Sequence, residues 1–429
     1  MSARHWLPLS LLLLLFLHPE ARANQVFVVQ QMTPFTDFTS IPDAIALASE
    51  GDTLLIKPGD YGGFSTSKGL SFVGDPNAPG NLPRVREVTF SGGLSTSRVL
   101  VRNLEIVAPN AIGGGAAALH IVDTDMAVVF ESCTIKVDGA ASHDLPAVFV
   151  RNAPKVMFTR SNLLGNEGLD VNLGTTRPAG HALSIENATV SLYECLVKGG
   201  DGGPALALFF TSPAGDGSSA IHTLGGRLLL AGSEVQGGKG GDGLLWNNFC
   251  LEAGDGGNGL VLDGGVDAYR LDSTITGGAA GVDAPGCPPV SVPGADVVVS
   301  NGTLTTLNET LPAFSASSPA REGQSSLITL TGPPGATALL VVALQADPLF
   351  APLPHRGTLL PALSPVPLIV GLGTLPPSGT LSFNAAIPPN LISPPVEFLE
   401  LHGQAVLPGA SGPRVLSSPT SLTILDSSF

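Results

Sequence analysis

Between about residue 50 and residue 306 the chain alternates apolar and polar positions in short runs, and the runs repeat. The clearest unit is Leu119-His120-Ile121-Val122, a turn at Asp123, and a second run from Ala127 to Ile135. Alternation with period two over four or five residues is the pattern of a half-buried strand. Aligning the runs on the apolar residue that closes each unit places Ile106, Ile135, Leu163, Val197, Val235, Ile275 and Leu304 in one column, at intervals of 29, 28, 34, 38, 40 and 29 residues. Repeats of this length are supersecondary units that bury their apolar faces by stacking on one another.

The same alignment predicts second strands at 99–101, 128–130, 156–158, 190–192, 228–230, 268–270 and 297–299, with Arg270 the poorest fit. Two positions before each closing residue stand Leu104, Cys133, Ser161, Cys195, Ser233, Ser273 and Gly302, a column that should climb the interior as a ladder. Preceding strands align at 119–122, 148–151, 183–186 and 260–263. They are followed by Asp123, Asn152, Asn187 and Gly264, residue types that accept a left-handed backbone at low cost. Upstream, Ser40-Ile41-Pro42-Asp43 has a capping hydroxyl and a first-turn proline. A short helix to about Ser49 follows, burying Ile41, Ala44, Ile45 and Ala48.

The stretch from Ile41-Pro42-Asp43-Ala44-Ile45 through Gly51-Asp52-Thr53-Leu54 to Pro58-Gly59-Asp60-Tyr61 resembles the N-terminal entry of right-handed parallel β-helix proteins of the pectin-lyase-like superfamily. No specific enzyme family is matched. The resemblance implies that the helix covers the open end of the first coil, and that the turn column carries a stacked Asn ladder. The expected fold is all-β: a right-handed parallel β-helix over 24–310 with an N-terminal capping helix, then a small C-terminal β-sandwich over 311–429. In that second part only eight charged residues remain after Leu311, and strands are expected at 327–330, 338–344, 368–372, 380–383, 398–401 and 422–425. Its ending, from Ile387-Pro388 through Gln404-Ala405 to Leu416-Ser417-Ser418, is similar to C-terminal modules of secreted bacterial proteins of unassigned role.

Composition agrees with many short strands: 53 Gly, 37 Pro and 13% charged residues in 429 disfavour long helices. A net charge of −15 argues against nucleic acid and anionic membranes, which need Lys and Arg to neutralise phosphate. Arg4 and His5, an apolar run over 7–17, and Ala21-Arg22-Ala23 form a secretory signal, with cleavage expected after Ala23. No later run predicts a transmembrane anchor, so a secreted or cell-surface monomer is expected.

Candidate chemistry is sparse. The intervals lengthen in the middle because Gly-Asp stretches at 198–203, 214–217, 237–243 and 253–257 are inserted after the third strand. They read as solvated turns along one edge, where function would sit. Cys250 and Cys287 lie in such turns of successive coils and are expected to form a disulfide, whereas Cys133 and Cys195 are two coils apart and should be buried thiols. The motifs of polygalacturonase-type hydrolases and pectin esterases are absent. The nearest matches are Asp123-Thr124-Asp125 and Gly180-His181-Ala182, and Arg151, Lys155, Arg160 and Arg177 are the bases a lyase could use. Catalytic candidates are therefore Asp123, Asp125, His143 (beside Asp144) and Arg151. Asp201, Asp242 and Asp255 are the candidates for calcium, the one ion considered, and no cofactor is required. The favoured reading is a non-catalytic scaffold that binds a polysaccharide or other cell-surface component. The alternative is a polysaccharide lyase or glycoside hydrolase with its site on the coil flank.

Overall fold

A computed structural model describes residues 25–31, 37–75, 82–108, 117–137, 145–168, 170–171, 175–176, 179–207, 211–364, 366–392, 398–409 and 412–426. The expected signal peptide over residues 1–23, His143, Asp144 and Arg177 lie outside them. The chain forms two compact units, one of residues 28–50 and 54–308, the other of residues 25–27, Gly51–Thr53 and those from Glu309 onward. The regular secondary structure of both is almost entirely strand.

In the first unit three strands recur per coil, each parallel to its counterpart in the next. First strands include Val88–Ser91, Leu119–Val122, Val148–Arg151 and Leu260–Asp263. Second strands include Arg98–Arg102, Ala127–Glu131, Val156–Thr159 and Val266–Leu271. In the two middle coils, Leu183–Tyr193 and Ile221–Ala231 run through both positions. Third strands, from Asp60–Tyr61 to Thr274–Thr276, make a separate sheet of eight. The column Ile106, Ile135, Leu163, Val197, Val235 and Ile275 is in register throughout.

The last repeat is not as expected. Val297–Val299 pairs with the first strand at Leu260–Leu262, and Leu304 faces Ala268 rather than Ile275. Gly302 accordingly faces Val266, outside the Cys/Ser column. An apolar triplet suits either strand position, and spacing alone chose the wrong one. The first strand at 221–224 escaped detection because His222 and Thr223 dilute its apolar pattern.

Inside, Phe64, Phe72, Phe90, Phe130 and Phe158 form a continuous stack, with neighbouring ring centroids 4.8 to 6.1 Å apart. Each such buried ring contributes on the order of 1.5–3 kcal/mol. Leu192 and Leu230 continue the column. Beside it the backbone N–H of Cys133 donates to Ser161 Oγ (3.1 Å), that of Cys195 to Ser233 Oγ (3.2 Å) and that of Ser233 to Ser273 Oγ (3.0 Å). Two turn columns have left-handed backbones: Gly92, Asp123, Asn152, Asn187, Gly225 and Gly264, and also Asn103, Ser132, Arg160, Glu194, Gly232 and Asp272. Helix α1 (Ile41–Leu47) begins at Ser40, whose Oγ accepts from Asp43 N, and buries Ile41, Ala44 and Ile45. Lys68 Nζ donates to the carbonyls of Ile45, Ala46 and Ala48 at its other end (2.7, 3.2 and 2.8 Å), where helix carbonyls lack internal partners.

The Gly-Asp stretches are not solvated turns. After the third strand each middle coil runs outward (199–205, 237–243, 277–283) and returns (214–220, 253–259, 291–295), so that the segments form a two-layered wing. N–H groups of Gly237, Gly240 and Gly243 donate to the carbonyls of Thr276, Ala279 and Val282 in the next outward segment, while those of Gly238 and Gly241 donate across the wing to Ser218 and Gly215. This three-residue period is that of an extended polyproline-like helix, and seven residues of it span about 20 Å. One file of bonds, Asn166–Gly180–Gly200–Ser218–Gly238–Gly257–Gly278–Gly294, crosses between layers at every step with 2.7–3.0 Å distances. A Cβ on Gly200 or Gly238 would lie 1.7 or 1.8 Å from a carbonyl oxygen, so glycine is required for this approach.

The second unit has a three-stranded sheet (Ala313–Ala316, Ser325–Thr331, Thr380–Ala386) and a larger one ordered Ala320–Arg321, Thr420–Leu425, Phe398–Pro408, Thr337–Ala343, Leu368–Thr374. Phe314, Ile328, Leu330, Leu340, Ala405 and Leu407 form its main core. The hairpin of Ala346–Ala351 with Gly357–Pro361 was not anticipated.

Candidate functional site

Alternation in the first strands sends Leu119, Ile121, Val148 and Val150 inward and turns every second residue out. Register then stacks Thr89, His120, Phe149, Ser184 and His222 in one outward column, with Val122, Arg151, Glu186 and Leu224 in the next. Asp123 follows at the turn. Its carboxylate accepts from Asn152 Nδ2 at 2.7 Å and from Arg151 Nη2 at 2.9 Å. These two bonds, Asn152 first, hold its pKa below the ordinary carboxylate value. The Arg151 guanidinium also lies 5.9 Å from the centroid of Phe149, whose other ring neighbour is His120 at 6.1 Å, edge to face. Burial pushes the His120 pKa down, against a smaller upward pull from Glu87.

Of the catalytic candidates, the structure thus brings Asp123 and Arg151 together, places Asp125 exposed two residues beyond, and does not describe His143. His181 lies on the returning side of the wing, with Nδ1 2.8 Å from Ser218 Oγ and its ring 5.2 Å from that of His222. Arg160 joins a buried ion ladder instead: it contacts Glu131, which also holds Arg102 at 2.8 Å. Sequence reasoning missed His120, Phe149 and His222. Their signal was the same alternation that revealed the core, read for its outward half.

The three calcium candidates are separated. Asp201 and Asp242 stand on the outward layer, Asp255 on the returning one. Each carboxylate accepts a backbone N–H from the next segment: Lys239 N to Asp201 (2.8 Å), Val282 N to Asp242 (2.9 Å) and Val292 N to Asp255 (2.8 Å). Lys198 and Lys239 add ion pairs to Asp201 and Asp242 at 2.8 and 2.7 Å. Among the described residues no three His, Cys, Asp or Glu gather as a metal site. Cys250 and Cys287 are disulfide-bonded, with Cα atoms 5.6 Å apart, at the far end of the wing.

No protein-family model matches the chain, and no curated protein does. Solved structures with some likeness include the enzymatically active domain of bacteriophage CBA120 tailspike protein 2 (9% identity, TM-score 0.25, covering 95% of this chain and 72% of that one). Another is the full-length tailspike protein 2 from Escherichia coli O157:H7 bacteriophage CAB120 (10% identity, TM-score 0.24, covering 92% and 63%). Likeness at these TM-scores carries no argument about fold or function. No helix of the described residues is long and apolar enough to cross a membrane.

Proposed function

We propose that the chain is an exported right-handed parallel β-helix, closed at its first coil by α1 and followed by a small β-sandwich, that binds an extracellular polysaccharide on the flank of its first strands without turning it over. The observation that carries this reading is the pairing of Asp123 with Arg151 and Asn152. A carboxylate held ionised by two donors is a poor general acid, and glycoside hydrolysis needs one carboxyl group that keeps its proton. What the flank offers is an aromatic face at Phe149, a guanidinium at Arg151 and the imidazoles of His120 and His222. Such a mixture of apolar face and placed polar groups suits a hydroxyl-rich polymer.

The test is a panel of acidic and neutral polysaccharides, with and without calcium, recording unsaturated products, new reducing ends and binding together. Binding weakened about tenfold by Arg151→Ala or Phe149→Ala, with no product, is expected. Turnover abolished by Asp123→Ala or Asp125→Ala would overturn the proposal in favour of a lyase or hydrolase.

A further inference from the structure

At the far end of the wing the outward and returning segments are joined by antiparallel hairpins, among them Leu244–Trp246 with Phe249–Leu251. Asn247 and Asn248 reverse the chain with φ of 48° and 64°, the two-residue turn whose twist matches its strands. The register sets Trp246 opposite Phe249. Cys250, in the same strand as Phe249, is tied to Cys287 of the following coil. The hairpin nevertheless leaves its apolar side chains in solvent: Leu245 and Trp246 are each 43% exposed and Phe249 71%. Val282, whose carbonyl accepts from Gly243 N, is 64% exposed beside it. Side chains of this kind are ordinarily removed from water, because burying apolar surface is favourable. The disulfide and the glycine lattice behind it instead hold the aromatic pair at the end of the wing.

We propose that this hairpin is a second binding site, distinct from the flank, for a neutral polysaccharide. Residues 243–251 carry no charge, so nothing there would hold an ionic group. The wing carries Asp216, Asp255 and Asp283 besides the lysine-paired Asp201 and Asp242, in a chain of net charge −15, which disfavours polyanions and anionic lipid alike. Trp246 and Phe249 offer apolar ring faces against which pyranose rings stack, and the amides of Asn247 and Asn248 supply donors and acceptors for hydroxyl groups.

The sequence provides its own probe. The two tryptophans are Trp6 and Trp246, so in the full chain carrying Trp6→Phe all tryptophan emission comes from the hairpin. Titration with soluble galactomannan and mixed-linkage β-glucan is expected to give a saturable blue shift, absent with polygalacturonate. Phe249→Ala weakens the affinity about tenfold. Asn248→Gly, which keeps the left-handed turn, weakens it several-fold with an unchanged unfolding midpoint, whereas Gly62→Ala, with nothing within 4 Å of the new atom, leaves it as it was. No shift with either neutral polymer would overturn the proposal. So would a shift seen only with phosphatidylcholine vesicles, or one that appears only on raising the protein concentration. The flank reading fails separately, if polysaccharide binding is indifferent to Arg151→Ala and Phe149→Ala.

Discussion

Cys133 and Cys195 show how a single position is governed by its column. Both are buried among serines in the interior ladder, and burial pushes each thiol up to about 12, from an ordinary value of 9.0. Between those values the folded chain keeps protons that the unfolded chain releases, so stability falls as pH rises from about 9 towards 12. The denaturation midpoint should drop over that window. Near pH 8 the two thiols should resist iodoacetamide until the protein is unfolded, and rapid labelling of the native protein would contradict this placement. That small polar residues share the column was legible from sequence. The bonds from each backbone N–H to the hydroxyl one coil away were not, because they depend on stacking distance. The left-handed turn at Asp123, Asn152 and Asn187 was likewise legible from residue type. The second such column escaped notice because Arg160 and Glu194 do not favour that backbone, and are held there by bonds from their N–H groups to Tyr193 and Ala231.

At the scale of elements, the wing is where sequence reading and structure part. Glycine-rich runs promise flexibility when taken singly. Stacked in successive coils, the same glycines let backbones approach until two of every three N–H groups find a carbonyl in a neighbouring segment, and Asp side chains accept further N–H groups beside them. Gly238→Ala should therefore destabilise the protein by about 1–3 kcal/mol or more, since its Cβ would run into the backbone of Gly199 and Gly200. Gly62→Ala, with nothing within 4 Å of the new atom, should stay within about 0.5 kcal/mol of the parent in urea denaturation. Equal effects would mean that the wing is a loose loop after all. Helix α1, by contrast, follows from local signals, because its capping hydroxyl, proline and apolar face all lie within ten residues of one another.

Over the whole molecule charge is unevenly spread, and no charged residue stands between Arg356 and Glu397. Within that neutral stretch Leu368–Thr374 ends its sheet, and Ile369 is 61% exposed. An uncharged apolar edge invites strand addition from another chain. Ile369→Lys should thus lower concentration-dependent aggregation, read by light scattering, with little change in unfolding midpoint; aggregation unchanged by the charge would place its origin elsewhere. The repeat, the in-register columns of six coils, the capped helix and six of the strands of the second unit were written in local apolar periodicity, which acts between near neighbours and survives without coordinates. The register of the last coil, the glycine lattice, the outward column around Phe149 and the exposed Trp246 hairpin were settled by contacts between residues far apart along the chain, such as His120 with Phe149, Val266 with Gly302 and Cys250 with Cys287. Those contacts depend on how much each coil's excursion adds before the chain returns, a length that no single stretch of sequence encodes.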